Sequence, residues 1–203
     1  MAQEVKIFFG EFGDMDITPT ATWFSDISQF ALVLVSPDGK ETTLKATAKE
    51  QYYSASFTPD ANGIYTLAMH HVVKQVYNGM VLDYNSSATV KVGTGEPKLA
   101  LSKNVIAVLP SVKANYAINQ QVSVQAFFEG KPAGNKELEV VAPNGWVKKL
   151  YTDSLGFASF IPLWSGKYNV EYTSTEKKTG AHQSAPYESW YYCSTMIITV
   201  GKN

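Results

Sequence analysis

The 203-residue chain has a single cysteine, Cys193, so no disulfide can form within it. It has no run of about 18 apolar residues, the length that a bilayer-spanning helix requires. It has no excess of one charge either. A formal net charge of −1 leaves no basic footprint for nucleic acid or an anionic membrane surface. HExxH, GxSxG, phosphate-cradling and dinucleotide motifs are all missing, and His70, His71 and His182 accompany no nucleophile pattern. Catalysis needs an acid, base or nucleophile set gathered in a pocket. Neither a catalytic residue nor an organic cofactor is therefore expected, and the chain reads as a non-enzyme. Nor does any stretch of more than about ten residues place apolar side chains at helical spacing.

What the chain does have is aromatic and aliphatic residues at alternating positions. Aromatics make up 13% and hydrophobic residues 45%, against 17% charged, a balance that suits β-sheet cores. One phrase occurs twice. Pro37-Asp38-Gly39, Leu44, Ala55-Ser56-Phe57-Thr58-Pro59 and Gly63-Ile64-Tyr65 return as Pro143-Asn144-Gly145, Leu150, Ala158-Ser159-Phe160-Ile161-Pro162 and Gly166-Lys167-Tyr168. In each copy proline sets φ and glycine accepts positive φ, so the phrase reads as strand, turn, strand, turn, strand. Tyr65, Leu67 and Met69 match Tyr168, Val170 and Tyr172 as one inward row. Ala88, Val90 and Val92 match Met196, Ile198 and Val200 as another. The expectation is an all-β protein of two tandem Ig-like β-sandwich domains arising from an internal duplication. The first would span residues 1–93, a linker 94–98, and the second 99–203.

Candidate site residues follow from that frame. Asp14-x-Asp16 resembles the opening of a calcium loop, but the later ligands are missing, so a solvated acidic loop is expected. On a strand, His70 and His71 point to opposite faces: His70 outward, His71 at the end of the core row. If the polar insertion Ser174–Ser189 folds toward the junction, His70, His182, Glu188 and Cys193 could supply a site for a divalent transition metal. Trp146 follows a turn, and Tyr191 shares a face with Cys193, opposite Trp190 and Tyr192. Trp146 and Tyr191 are the candidates for contacting a ligand or partner. The insertions Lys74–Tyr84 and Ser174–Ser189 should project from the sandwiches as binding loops.

The second copy carries a resemblance. Leu109-Pro110, Val122 to Phe128 with Gly130-Lys131-Pro132, Pro143-x-Gly145-Trp146, Thr152-Asp153-x-x-Gly156-x-Ala158-x-Phe160, Gly166-x-Tyr168 and Tyr187…Trp190…Cys193-x-Thr195-x-x-Ile198 form its pattern. It is similar to an uncharacterised bacterial envelope family related to the periplasmic accessory proteins of nickel and cobalt uptake. More distantly it resembles carboxypeptidase-regulatory-like and Cna-B-type modules. The resemblance implies an exported, periplasmic or cell-surface binding or accessory protein whose signal peptide has been removed. Its partner would be another envelope protein or a small ligand. The alternative it implies is a divalent-metal accessory protein of an uptake system. Metal-handling relatives begin with a His-x-His strand, where this chain has Gln3-Glu4-Val5-Lys6-Ile7.

Overall fold

A computed structural model describes residues 1–14, 16–93, 104–111 and 116–201. The first half contributes β1 (Gln3–Ile7), β2 (Gly10–Glu11), β3 (Asp16–Ile17), β4 (Ala31–Val35), β5 (Glu41–Thr43), β6 (Thr47–Ala48), β7 (Tyr53–Phe57), β8 (Gly63–Val72) and β9 (Met80–Val92). The second contributes β10 (Ile106–Pro110), β11 (Tyr116–Ala117), β12 (Val122–Phe128), β13 (Lys131–Pro132), β14 (Glu137–Val141), β15 (Val147–Tyr151), β16 (Phe157–Phe160), β17 (Gly166–His182) and β18 (Ala185–Gly201). Among the described residues there is no α-helix, and two short 3-10 turns precede β4. The protein is all-β, built of packed sheets as the alternating pattern requires.

In the first half, β5, β4, β8 and β9 form a sheet faced by a smaller one of order β1-β7-β6. Between them lie Trp23, Ile27, Leu32, Leu34, Phe57, Tyr65 and Leu67. In the second half, β15, β14, β17 and β18 form the large sheet, and β12 is flanked by β10 on one side and β16 on the other. Its core includes Val124, Leu138, Val140, Phe160, Tyr168, Val170 and Ile198. The inward rows expected from the repeat are the ones that line these cores.

Two separate sandwiches, each closed by its own last strand, are the expectation. Each last strand does pair within its own half, β9 with β8 and β18 with β17, and the structure in addition pairs those last strands with each other. β9 and β18 run parallel from Ser189 opposite Met80 to Met196 opposite Ser87, joining the two large sheets into one of nine strands. Trp190 lies opposite Val81 and Tyr192 opposite Asp83. Trp190 and Tyr192 face the second core, while Leu82 and Tyr84 face the first. Neighbours across a ladder share a face, so the two cores occupy opposite faces of the shared sheet. The expected linker 94–98 lies outside the described residues.

The insertions differ from the expected loops. Lys74–Tyr84 is a short turn at Asn78-Gly79 that leads directly into β9. Ser174–Ser189 is strand: β17 and β18 stay paired to a turn at Gln183-Ser184, which makes a long hairpin. Its alternation of Thr, Glu, Lys and Tyr suits a two-sided ribbon, and its tip reaches back to the first half, where His182 meets the Val73 carbonyl at 3.0 Å.

Candidate functional site

Two turns at one end of the second sandwich carry tryptophan. In the first, between β14 and β15, Gly145 takes φ +79° and Asn144 Oδ1 accepts the Trp146 amide at 3.2 Å. Trp146 is thereby projected from the turn rather than folded beneath it. In the second, between β16 and β17, the buried Tyr168 hydroxyl accepts the Trp164 amide at 3.0 Å and donates to the Trp164 carbonyl at 2.9 Å. The corner is fixed from below by its own core tyrosine. The two turns are pressed together at Gly166, where a Cβ would stand 2.7 Å from the Pro143 ring.

The result is a pair of indoles 6.0 Å apart, inclined at 60°. Trp146 is 44% exposed and Trp164 38%. Val147, Ile161 and Leu163, beside them in the chain, are exposed as well. Paired exposed aromatics held on rigid turns are a feature that proteins keep small unless it contacts something. The Gly13 carbonyl, from the loop joining β2 and β3, lies beside Gly145 and brings the first half to the rim.

The first copy builds the same end on the same framework. Asp38 Oδ1 accepts the Lys40 amide at 3.0 Å, as Asn144 accepts that of Trp146. The Tyr65 hydroxyl accepts the Ala61 amide at 2.9 Å, as Tyr168 accepts that of Trp164. Gly63 meets the Pro37 ring as Gly166 meets that of Pro143. Lys40 therefore stands where the second copy has Trp146, Ala61 where it has Trp164, and Asp60 where it has Leu163. With the backbone equivalent, the difference between a polar end and an apolar one lies in the side chains alone.

Trp164 escapes the sequence reading, although the signal was available. The repeat aligns Pro59 with Pro162, and two positions further on an alanine faces a tryptophan. A small residue exchanged for the largest one at an aligned corner is not needed for packing. Of the two expected contact residues, Trp146 is the exposed one. Tyr191 is half-buried, packs against the first core, and has its phenol pushed up by burial and by the nearby Cys193.

The four expected metal ligands are distributed rather than gathered. His70 Nε2 lies 3.0 Å from Asp83 Oδ1, a carboxylate that also accepts from Asn85 Nδ2 at 2.8 Å. His182 bonds the Val73 carbonyl and sets its ring against Trp190. Glu188 is exposed, and Cys193, five positions along the same strand, faces the other way. The Cys193 thiol is buried and pushed up by that burial and by Glu171. His70 is on the Asp83 face and Cys193 on the Tyr84 face, so a nine-stranded sheet separates them. Among the described residues, no three His, Cys, Asp or Glu side chains are placed to hold one ion.

His71 points into the first core, as expected, and its Nε2 lies 3.2 Å from Asp26 Oδ1. Burial works against ionisation of Asp26. The Lys74 amide at 3.0 Å, the His71 ring and the Lys74 ammonium at 3.5 Å outweigh it and hold the carboxyl at about 2. The pair ties the turn before β4 to the end of β8. No helix among the described residues is long and apolar enough to cross a membrane.

No family model matches the chain, and no curated protein matches it. The expected kinship with nickel and cobalt uptake proteins is thus not found there. Among solved structures it is similar to the fibronectin(III)-like modules of Clostridium thermocellum CbhA, with 12% identity, 84% of this chain and 78% of that chain covered, and a TM-score of 0.23.

Proposed function

We propose that this protein is a non-catalytic binding module, exported to the periplasm or cell surface, and that the Trp146–Trp164 end of the second sandwich is its contact surface. One observation carries the reading. Two exposed indoles stand on turns whose counterparts in the same chain do their structural work with Lys40 and Ala61. The tryptophans are therefore not required by the fold, and large aromatics grouped at the surface beyond what folding needs mark a contact site. Inclined at 60° with centres 6.0 Å apart, the rings are in tilted contact and present apolar aromatic area together. Such a pair suits an apolar or aromatic side chain of a partner protein, the usual counterpart of tryptophan at a hot spot.

The test is photo-crosslinking in the native host. A photoreactive residue replaces exposed Lys148, two residues from Trp146, or Lys40 at the equivalent first-copy turn. The reading predicts a discrete adduct from position 148, lost in Trp146→Ala/Trp164→Ala, and none from position 40. The purified captured protein should then bind at least about tenfold more weakly to the double variant. Equal capture from both positions, or capture indifferent to the tryptophans, contradicts it.

A further inference from the structure

The strand β1 ends its sheet: β7 is its one strand neighbour among the described residues. Its counterpart in the second copy is not an edge. Val5 lies opposite Ala55, and Val124 opposite Ala158, so β1 corresponds to β12, with Glu4 matching Ser123 and Lys6 matching Gln125. In the second copy β10 occupies the far side of that strand, antiparallel to it. There the Ser111 amide donates to the Ser123 carbonyl at 2.8 Å, which shows that this position turns its backbone away from β16. By the same alternation, Glu4 and Lys6 turn their N–H and C=O groups to the edge that no strand among the described residues pairs, and Val5 turns its own to β7. The half without the tryptophan pair thus presents a site built to accept one more antiparallel strand.

We propose that β1 pairs edge to edge with β1 of a second copy of this chain, antiparallel and centred on Val5. The charge pattern selects that occupant and that register. The outward backbone groups of two such edges can meet with Glu4 opposite Glu4, with Lys6 opposite Lys6, or with Glu4 opposite Lys6. The first two place like charges directly across the ladder, which is unfavourable. The third places opposite charges across it twice by symmetry and sets Val5 against Val5. Charged residues on an edge commonly prevent pairing. Here, because the two signs alternate, they exclude the wrong registers and complement the right one. Both side chains are exposed: Glu4 accepts from the Ser54 hydroxyl at 2.9 Å, Lys6 lies 4.8 Å from the centre of the Tyr52 ring, and the two are 3.5 Å apart within one copy, so pairing in this register exchanges these surface contacts for the cross-strand ones. A two-fold contact of this kind is self-complementary and closed.

A five-residue edge makes a small interface, so the association is transient and needs concentrated protein. Sedimentation equilibrium from about 10 µM to about 1 mM should show the weight-average mass climbing from one chain toward two. Glu4→Lys alone and Lys6→Glu alone should each weaken this at least about tenfold, by setting like charges across the ladder. The double variant Glu4→Lys/Lys6→Glu should restore it. An equimolar mixture of the two single variants should associate with each other while neither does alone. A chain that stays monomeric throughout the range overturns the proposal. So does a dimer that ignores the single reversals, or one that the double variant fails to restore.

Discussion

The two ends of the molecule, Pro37–Lys40 with Thr58–Ala61 and Pro143–Trp146 with Ile161–Trp164, are the same piece of backbone chemistry carried twice. Each has a proline that packs on a glycine opening the neighbouring strand of the sheet, an Asx side chain that receives the amide two residues on, and a core tyrosine whose hydroxyl fixes the corner. What differs is what stands outside that framework: lysine, aspartate and alanine in one copy, two tryptophans and a leucine in the other. The comparison separates residues that make the fold from residues that use it, because whatever both copies share suffices for folding. By that criterion Trp146, Leu163 and Trp164 are spare for stability.

The largest expected effect breaks what the copies share beyond their own cores. Thr195 sits in β18 between Glu171 of β17 and Ser86 of β9, whose hydroxyl donates to the Thr195 carbonyl at 3.1 Å. Proline there removes a donor from a strand with partners on both sides, at a cost of about 3 kcal/mol or more. Calorimetry should show one cooperative transition for the native chain and two for Thr195→Pro, since the halves would then unfold separately. A single transition in both would mean that the β9–β18 ladder does not couple them.

The next effect should be equal in the two copies. Gly63→Ala and Gly166→Ala each drive a Cβ to 2.7 Å from a proline ring, at φ +135° and +136°. Each should lose about 2–3 kcal/mol in urea unfolding, to within about 1 kcal/mol of one another. A large inequality would show that the two turns are not mechanically equivalent.

Much of this architecture was legible in the sequence. The repeat of Pro-x-Gly, Ala-Ser-Phe and Gly-x-Tyr located the turns, and the alternation through Tyr65–Met69 and Tyr168–Tyr172 placed the core rows, because local φ demands and side-chain parity are written residue by residue. The joining of β9 to β18 was not legible. Two last strands far apart in the chain pair in parallel without any turn to announce it, and each reads equally well as the end of its own sandwich. The Ser174–Ser189 segment was obscured for a related reason. A ribbon polar on both faces carries no apolar alternation, yet β17 and β18 zip it as an extension of a ladder begun in the core. Trp146 was found from its turn, whereas Trp164 required comparing the corners position by position. That His70 and Cys193 lie on opposite faces of one sheet was not legible either, because it follows from the β9–β18 pairing.

A smaller effect distinguishes the copies in acid. Asp26, held at about 2 by the Lys74 amide, His71 and the Lys74 ammonium against the penalty of burial, has a folded-state pKa below its unfolded one. Its contribution is therefore complete above about pH 4 and lost as pH falls toward about 2, and is on the order of 1 kcal/mol. Chemical denaturation at pH 6 and pH 2.5 should show this loss in the native chain. Asp26→Asn should be less stable at pH 6 and correspondingly less sensitive to the change. If the variant responds to pH as the native chain does, the Asp26–His71–Lys74 cluster is not what titrates.

The smallest expected change in stability goes with the largest expected change in function. Trp146→Lys/Trp164→Ala gives the second copy the side chains that the first copy already carries on the same turns. The melting temperature should stay within a few degrees of the native value, a change of about 1 kcal/mol or less, while photo-crosslinking of the partner from position 148 disappears. Undiminished capture by a folded double variant would contradict the assignment of this end as the contact surface.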